Sequence, residues 1–219
     1  PLGVDHTVFF PTGQEQEKFV IFNCGKWEIR KGHDIILEVF QSAFPDNKDV
    51  ELWMMCQNPV ASPEYNQQWN NHYKQDFRTN LIDRVQDHRQ LAQIMNQTSC
   101  GLFPSRAEGW NLELLEMMSC GKPVITTDYS SHTEFCTDEN SIKFKPSKFE
   151  DAKDGIYFGG GEGEWASLDE IKNDLVEALR SLYEKWKVDK KIINKSGILS
   201  SQNFNWLNTA EKVKDAIDA

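Results

Sequence analysis

Short apolar runs alternate with amphipathic segments along the chain as far as about residue 145. A continuous run of a few hydrophobic residues is typical of a strand that is buried on both faces. The runs predicted as strands lie at 19–23, 50–56, 81–85, 100–104, 123–126 and 141–144. Between them, apolar residues recur at helical spacing, for example after Gly32 and from Leu91 to Met95. The pattern predicts an α/β fold, a Rossmann-like, doubly wound parallel sheet with helices on both faces.

The C-terminal part of the chain reads as helical. Large apolar side chains recur at helical spacing from Leu168 to Trp186, which predicts one long helix over about 167–188 with Ser167 as its N-cap. Two further helices are predicted near 190–200 and 207–219. The glycine-rich stretch at 158–165 follows no strong strand and carries two acids, so it is interpreted as a surface loop and not as a phosphate-binding loop.

Composition and charge narrow the class of protein. The 219 residues, 39% of them hydrophobic, suffice for one substantial core, and we predict a single domain over 1–219. A net charge of −10 argues against a general nucleic-acid or anionic-membrane surface. Five cysteines with no CxxC pair predict reduced, buried thiols and a cytoplasmic compartment. The sequence contains no recognisable signal peptide, and we expect no transmembrane segment.

The segment after the strand at 100–104 is the strongest candidate for a binding site. Asn111 is a good N-cap and Gly121 is a typical stop signal, so a helix is predicted over about 112–120. Doubly wound sheets bind ligands at the carboxyl ends of their strands, where helix N-termini present free N–H groups. We therefore expect the N-terminus of this helix to face an anionic ligand.

Two glutamates bracket this predicted helix. Glu108 lies in the strand-to-helix loop and is expected to point into the crevice, whereas Glu116 lies in the second turn and is expected beside the helix. Carboxylates next to an anion-binding helix end suit a ligand with a phosphate and several hydroxyl groups. The residues alone leave an alternative open, in which Glu108 is a loop acid favoured by the helix dipole and Glu116 is an ordinary exposed helix residue.

Several segments resemble one enzyme family. EGWNLELLE at 108–116 fits the E-x7-E motif of retaining glycosyltransferases with the GT-B fold, in the group called glycosyl transferases group 1, or family 4. The longer stretch at 102–125 resembles that family's strand, loop, helix and strand in one register. FNCGKWEIRKGHDIILEVF at 22–40 resembles the first strand and phosphate-contacting loop of the family's C-terminal domain. The segments at 1–11 and 204–213 resemble its entry and closing segments.

The resemblance implies specific roles. Glu116 corresponds to the glutamate that binds the ribose hydroxyls, and Glu108 to the one that lies against the donor sugar. Lys26 and Lys31 correspond to the cations that hold the diphosphate and neutralise it as it leaves. Glu108, Lys26 and Lys31 are therefore the implied catalytic residues. The other implied donor-binding residues are Gly25, Val85, Gln86, Gly109, Trp110, Asn111 and Leu112. The resemblance implies no metal and no cofactor.

The chain departs from the family pattern at some of these positions. Lys26 stands where arginine is usual, which replaces a bidentate phosphate contact with a point charge. Asn111 stands where glycine is common and is expected either to crowd the sugar or to donate a hydrogen bond to it. Arg30 is interpreted as a solvated surface residue, although it lies near enough to substitute for the missing arginine. His132 is interpreted either as a packing residue or as a residue of the cleft.

The resemblance implies the donor-binding half of a two-domain enzyme. Such a half binds a nucleotide diphosphate sugar for retaining transfer of the sugar to a glycan, protein or lipid acceptor. Residues 1–18 are expected to enter from an N-terminal domain that holds the acceptor and is absent here, and 167–219 to form C-terminal helices. Alone, the chain is expected to be weakly active or inactive. Two alternatives stay open, a non-catalytic nucleotide-sugar-binding module and a GT-B nucleotide-sugar epimerase.

Overall fold

A six-stranded parallel sheet forms the centre of the protein. The computed structural model describes residues 1–218. The strands of this sheet are β1 (Phe19–Gly25), β2 (Val50–Cys56), β3 (Thr79–Leu81), β4 (Cys100–Phe103), β5 (Val124–Thr127) and β6 (Ile142–Phe144). Their spatial order is β3-β2-β1-β4-β5-β6, and every neighbouring pair is parallel. The predicted doubly wound sheet is confirmed.

Helices cover both faces of the sheet. They are α1 (His33–Ala43), α2 (Pro63–Tyr73), α3 (His88–Asn96), α4 (Leu112–Ser119), α5 (Lys172–Val188), α6 (Lys195–Gln202) and α7 (Trp206–Asp218). Alternate side chains of β1 enter two separate hydrophobic cores, because successive residues of a strand point to opposite faces. Phe19 and Ile21 pack with α1 and α5, whereas Phe22 and Cys24 pack with α3 and α4.

The strand order places a crevice at the carboxyl end of the sheet. The chain runs from β1 outward to β3 and then returns to β4 on the other side of β1. The connections after β1 and β4 therefore diverge, which opens a crevice where ligands bind in doubly wound folds. Gly25 ends β1 and Phe103 ends β4 at this crevice. Both segments that carry the predicted site residues begin there.

The third strand lies earlier than the hydrophobic pattern indicates. Only Leu81 of the predicted strand at 81–85 belongs to β3, and the strand begins at Thr79. β3 forms one edge of the sheet, so its first residues are polar and partly exposed and give no apolar signal. Val85, in turn, lies in the loop that precedes α3. The predicted bounds were therefore wrong for four of the five residues.

The glycine-rich stretch is a strand and not a loop. β7 (Phe149–Lys153) and β8 (Gly159–Ala166) form a separate antiparallel hairpin, which we call the β7–β8 hairpin. Most of its side chains are exposed, so the alternation of a half-buried strand is missing from the sequence. Gly160 and Gly161 have φ values of 96° and 78°, which favour glycine. Trp165 and Ala166 are buried and anchor the base of the hairpin.

The C-terminal helices are close to their predicted positions. The apolar stripe from Leu168 to Trp186 is buried against α1, as predicted, but α5 begins at Lys172 after a short 3-10 turn, and no cap by Ser167 is present. Asn194 caps α6 at Gly197 N. The last helix was predicted over 207–219, of which residue 219 lies outside the described residues. No helix within 1–218 has both the length and the apolar character needed to cross a membrane.

All five cysteines are buried, and none forms a disulfide within the described residues.

The N-terminal segment packs beneath α4 on the same side of the sheet as α6. Val4 N donates to Phe204 O at 2.9 Å, and Ser119 Oγ at the end of α4 donates to Phe9 O at 2.6 Å. The first ten residues are thereby fixed to the helix that carries Glu116.

Candidate functional site

Glu108 lies at the centre of an ion cluster at the carboxyl end of the sheet. Its side chain is only 5% exposed. Lys31 Nζ contacts one carboxylate oxygen at 2.8 Å, and Arg30 Nη1 contacts the other at 2.6 Å. Ser105 Oγ donates a further hydrogen bond at 3.0 Å, and Glu108 N donates to Ser130 Oγ at 2.8 Å. The structure therefore joins two of the three implied catalytic residues, Glu108 and Lys31, in direct contact.

The two cations determine the charge state of Glu108. Burial by itself would raise the pKa of this carboxyl group, but the charges of Lys31 and Arg30 outweigh burial and lower the pKa to about 2. The pKa of Lys31 is raised, because the attraction of Glu113 and Glu108 exceeds the effect of burial. Glu108 and Lys31 are therefore both charged at neutral pH. An ionised Glu108 has no proton to donate, so it is unsuited to act as a general acid.

The loop after β1 explains the position of Lys31. A short 3-10 turn over Ile29–Lys31 follows β1 and directs Lys31 back over Gly25. Gly25 has φ 142°, and a Cβ there would lie 3.0 Å from Lys31 Cε. A side chain at this position would displace the cation from Glu108. Gly25 therefore leaves the space that the Lys31 side chain occupies, and its implied contact with the donor stays a prediction.

Lys26 lies apart from Glu108 and is more exposed than Lys31. Its side chain is 44% exposed, and its Nζ lies 3.1 Å from Glu28 Oε1. The Nζ also lies over the ring of Tyr157, 4.7 Å from the centroid. The Glu28 side chain, by contrast, is 1% exposed and also pairs with Arg30 Nη2 at 2.7 Å. Glu28 therefore links Lys26 to the ion cluster.

Arg30 is part of the cluster and not a solvated surface residue, so that interpretation was wrong. Its side chain is largely buried, and it donates to Ala107 O at 2.6 Å in addition to its contacts with Glu28 and Glu108. Nothing in the sequence indicates this role, because the partners on the β4–α4 loop lie 77 and 78 residues away.

Buried rings hold the β1–α1 loop in place. Glu28 N donates to His33 Nδ1 at 3.1 Å, so Nδ1 carries no proton. The proton of the neutral ring is then on Nε2, which donates to Asn23 Oδ1 at 2.9 Å. Burial and the charge of Lys31 lower the pKa of His33 to about 3, so the ring is neutral. Trp27 stacks on Trp69 at 5.6 Å between ring centroids, with planes 8° apart. His33 and this stack were not singled out in the sequence.

The N-terminus of α4 is set by Asn111. This residue has φ 71° and ψ 69°, the left-handed conformation that only glycine and asparagine adopt readily. Its Oδ1 accepts from Leu114 N at 3.3 Å, which confirms the predicted N-cap, and its Nδ2 donates to His132 Nε2 at 2.9 Å. Both polar atoms of the Asn111 amide thus bond protein atoms, and whether this residue crowds the sugar or donates to it stays a prediction.

His132 is a buried packing residue. Its Nδ1 lies 3.0 Å from Thr127 O, and its Nε2 accepts from Asn111. Burial lowers the pKa of His132, so the ring is neutral and fixes the loop before α4 against the end of β5. Of the two interpretations left open for His132, the structure favours packing.

We expect two substitutions of Asn111 to differ in stability. Asn111→Gly keeps the positive φ and removes both side-chain hydrogen bonds, so the free energy of unfolding should fall by about 1 kcal/mol. Asn111→Ala removes the same hydrogen bonds and keeps a Cβ in the left-handed region without the polar side chain that lets asparagine tolerate it, so the loss should reach about 2 kcal/mol. Urea unfolding followed by circular dichroism measures both. Equal losses would show that the backbone conformation of Asn111 has no energetic importance.

Glu116 and Glu113 extend the site along α4. Glu116 is 8% exposed and its carboxyl group has no hydrogen bond to any residue within 1–218. Burial, followed by repulsion from Glu113, raises the pKa of Glu116 to about 8. Glu113 Oε1 lies 3.9 Å from Lys31 Nζ in the first turn of the helix. Glu116 is therefore not an ordinary exposed helix residue, and Glu113 is a further acid that the sequence did not single out.

The remaining implied donor-binding residues lie at or near the crevice but outside the ion cluster. The amide groups of Leu112 and Glu113 lie in the first turn of α4, where helical N–H groups lack intrahelical partners. Trp110 packs on Phe135 at 5.3 Å, and Gly109 is exposed. Val85 packs with the α3 and α4 core, and Gln86 is exposed. Neither Val85 nor Gln86 contacts the ion cluster in the part of the chain that is described.

Sequence comparison assigns the chain to a family. Residues 18–157 match the family model for glycosyl transferases group 1, which covers well over half of the 219 residues. The chain belongs to the glycosyl transferases group 1 family. Within this family match lie β1, the ion cluster, α4 and the tip of the β7–β8 hairpin. A comparison with curated proteins gave no match.

Solved structures share the fold of this glycosyl transferases group 1 chain. One is the C-terminal domain of LpcC, a glycosyl transferase group 1 protein of Francisella tularensis (17% identity, TM-score 0.68, 92% of this chain and 97% of that domain). Another is Anabaena HepE in complex with UDP and glucose (13% identity, TM-score 0.72, 99% of this chain and 55% of HepE). A third is the pneumococcal O-GlcNAc transferase GtfA with UDP and GlcNAc (16% identity, TM-score 0.69, 96% of this chain and 37% of GtfA).

These likenesses show a GT-B fold of the C-terminal-domain type. The chain spans about half of HepE and a little over a third of GtfA, whereas it spans nearly all of the LpcC domain. The fold and family expected from the E-x7-E segment are therefore confirmed. What HepE and GtfA bind is a property of those proteins.

Proposed function

We propose that this chain binds a nucleotide diphosphate sugar in the crevice between β1 and β4 and serves as the donor domain for retaining transfer of the sugar. The observation that carries the proposal is the convergence of Lys31, Arg30 and Glu108 with the N-terminus of α4 at that crevice. Membership of the glycosyl transferases group 1 family supports it, as do the UDP-containing structures of HepE and GtfA. The acceptor would be held by a further domain.

The charges suit departure of a diphosphate. In the proposed reaction the bond between the anomeric carbon and the diphosphate oxygen breaks, and the electron pair leaves with the diphosphate. The anomeric carbon bonds an acceptor hydroxyl oxygen, whose proton passes to the departing diphosphate. Lys26, Lys31 and the first N–H groups of α4 would stabilise the negative charge that develops on the leaving group. Glu108, fixed and ionised, would accept hydrogen bonds from sugar hydroxyls.

The carboxylates of the site limit how strongly a diphosphate can be held. Glu28 and Glu113 lie beside the same cations as Glu108, so the three cations of the cluster face three acids. The phosphates must therefore compete with protein carboxylates for Lys26 and Lys31. We infer that the diphosphate is bound partly through the helix N-terminus, where the N–H groups of Leu112 and Glu113 have no carboxylate competitor among the described residues.

Calorimetric titration tests the proposed function. We expect UDP, GDP or ADP to bind at least about tenfold more tightly than the matching nucleoside, because phosphate contacts supply charge-assisted hydrogen bonds. The affinity for the diphosphate should fall with added salt, since part of it is charge neutralisation. Equal affinities for the diphosphate and the nucleoside of every base would contradict the proposed phosphate site.

The same titration addresses the metal. We propose that Lys26, Arg30, Lys31 and the end of α4 take the place of a divalent cation, so the diphosphate should bind equally well in the presence of a chelator. Addition of Mg²⁺ after the chelator serves as the control. A chelator that reduces the affinity more than about threefold, with recovery on adding Mg²⁺, would contradict metal-independent binding.

A further inference from the structure

The tip of the β7–β8 hairpin reaches the β1–α1 loop. The Tyr157 ring lies beneath the ammonium group of Lys26, 4.7 Å from Nζ to the ring centroid. The Tyr157 hydroxyl donates to Asn58 Oδ1 at 3.2 Å, and Asn58 Nδ2 donates to Trp27 O at 3.1 Å. The hairpin tip is thereby joined to the residue that follows Lys26 in sequence. This contact spans more than a hundred residues of sequence and brings an exposed hairpin to the phosphate side of the crevice.

The hairpin tip is locally ordered by one carboxylate. Asp154 Oδ1 accepts hydrogen bonds from the backbone N–H groups of Ile156, Tyr157 and Phe158 at 2.8 to 2.9 Å. Asp154 N also donates to Phe158 O at 3.1 Å and closes the turn. Such a turn fixes the backbone at Tyr157, so the position of the ring is set before any ligand binds.

The base of the hairpin is braced against the other side of the crevice. Arg106 precedes Glu108 by two residues, and its guanidinium group bonds both carboxylate oxygens of Asp34 at 2.7 and 2.8 Å. The same group bonds Glu150 Oε1 in β7 at 2.8 Å, and Arg106 O accepts from Ala166 N in β8 at 3.1 Å. The hairpin is therefore held at its base by the β4–α4 loop and at its tip by the β1–α1 loop.

We infer that Tyr157 is a positioning residue, which holds Lys26 where it contacts the diphosphate of the donor. This inference rests on the proposed function, because it assigns a task to the cation of that site. Lys26 is 44% exposed, and any rotamers that its side chain samples outside the ion pair with Glu28 must be given up when it contacts a phosphate. A ring beneath the ammonium group restricts these rotamers in advance without neutralising the charge, whereas a second carboxylate would neutralise it.

The test is a double-mutant cycle on diphosphate binding. UDP, GDP and ADP are titrated into the unmodified 219-residue chain by calorimetry, and the tightest of the three is used for the variants. Tyr157→Leu should weaken binding about threefold to tenfold, and Tyr157→Phe, which keeps the ring, should restore the affinity of the unmodified chain. In the Lys26→Gln background, Tyr157→Leu should cause no further loss, because the cation that it positions is gone.

The outcomes separate the inference from the function on which it rests. If none of the three diphosphates binds the unmodified chain, the proposed function fails and the inference falls with it. If a diphosphate binds and Tyr157→Leu binds it as tightly or more tightly, the inference alone is wrong. Losses that add in the double variant would show that Tyr157 acts independently of Lys26, which also overturns it. Thermal unfolding of each variant verifies that the fold is intact.

Discussion

Glu108→Gln should lower the free energy of unfolding by about 3 kcal/mol at pH 7 while it strengthens the binding of a bare nucleoside diphosphate. Removal of one partner from a buried ion pair leaves the other charge uncompensated, and here Lys31 and Arg30 both lose their shared carboxylate. The two freed cations become available to phosphate, so the diphosphate affinity should rise several-fold. Urea unfolding and calorimetric titration measure the two effects on the same sample.

The pH dependence of this destabilisation is fixed by the pKa of Glu108. The folded pKa of about 2 is lower than the ordinary value of 4.5, so the ionised carboxylate stabilises the fold above pH 4.5. This contribution is lost as the pH falls from 4.5 towards 2, and the difference between the variant and the unmodified protein should shrink over that window. Glu177→Gln, an exposed acid on α5, is the matched control. A variant that unfolds like the control at pH 7 would contradict a stabilising role for the cluster.

Glu116 should make nucleotide binding depend on pH. In the free protein its pKa is raised to about 8, so the group is mostly protonated at pH 7. Hydrogen bonds from a ribose diol favour the ionised form, and binding should therefore release a proton. Affinity should rise about tenfold between pH 7 and 9, and calorimetry in buffers of different ionisation enthalpy should detect the released proton. Glu116→Gln should abolish both effects.

Controls separate the ionisation of Glu116 from two other causes of a pH-dependent affinity, ionisation of the nucleotide and loss of folding stability. Glu116→Gln reports the pH dependence of the nucleotide itself, and a 2′-deoxy nucleotide should lose most of the pH-dependent gain. In the absence of ligand, the folding stability should fall with rising pH, which is opposite to the trend in nucleotide affinity. The folded pKa is raised, so the stabilising contribution of Glu116 is complete below pH 4.5 and is lost as the pH rises through 8. A pH-independent affinity in the unmodified protein would rule out contact between Glu116 and the diol.

Elements with a strong local signal were predictable. The segment from β4 through α4 to β5 contains a continuous apolar strand, an asparagine cap and a glycine stop, each of which acts within a few residues. The parallel sheet followed from the repetition of such units. The positions of Glu108 at the crevice and of Glu116 on α4 followed in turn, because the strand-to-helix order places them relative to the edge of the sheet.

Elements at the edges were not predictable from hydrophobicity. β3 lies at one edge of the sheet and begins with Thr79, which is partly buried, and Asn80, which is exposed. The β7–β8 hairpin is mostly exposed on both sides and is rich in glycine, which lowers every strand signal. Such strands are specified by their attachments, here by Arg106 and the buried Trp165, and these are tertiary contacts that a pattern of polar and apolar positions does not encode.

The side-chain partners in the site were the least predictable feature. Arg30 was interpreted as a solvated surface residue, yet the 3-10 turn brings it to a carboxylate 78 residues away. Asn111 was recognised as a cap, but its bond to His132 depends on the end of β5. A motif names the residues that meet a ligand, whereas the pairing among them depends on the three-dimensional fold.

The stacked indoles of Trp27 and Trp69 also give the loop an optical signature. Two stacked indole rings 5.6 Å apart are close enough for their transition dipoles to couple, and the resulting ultraviolet circular dichroism depends on the twist between the two rings. Trp27 lies directly after Lys26, so any rearrangement of the loop changes the overlap of the two transition dipoles. The chain therefore contains a built-in chromophore pair that reports the state of its phosphate-facing loop without a label.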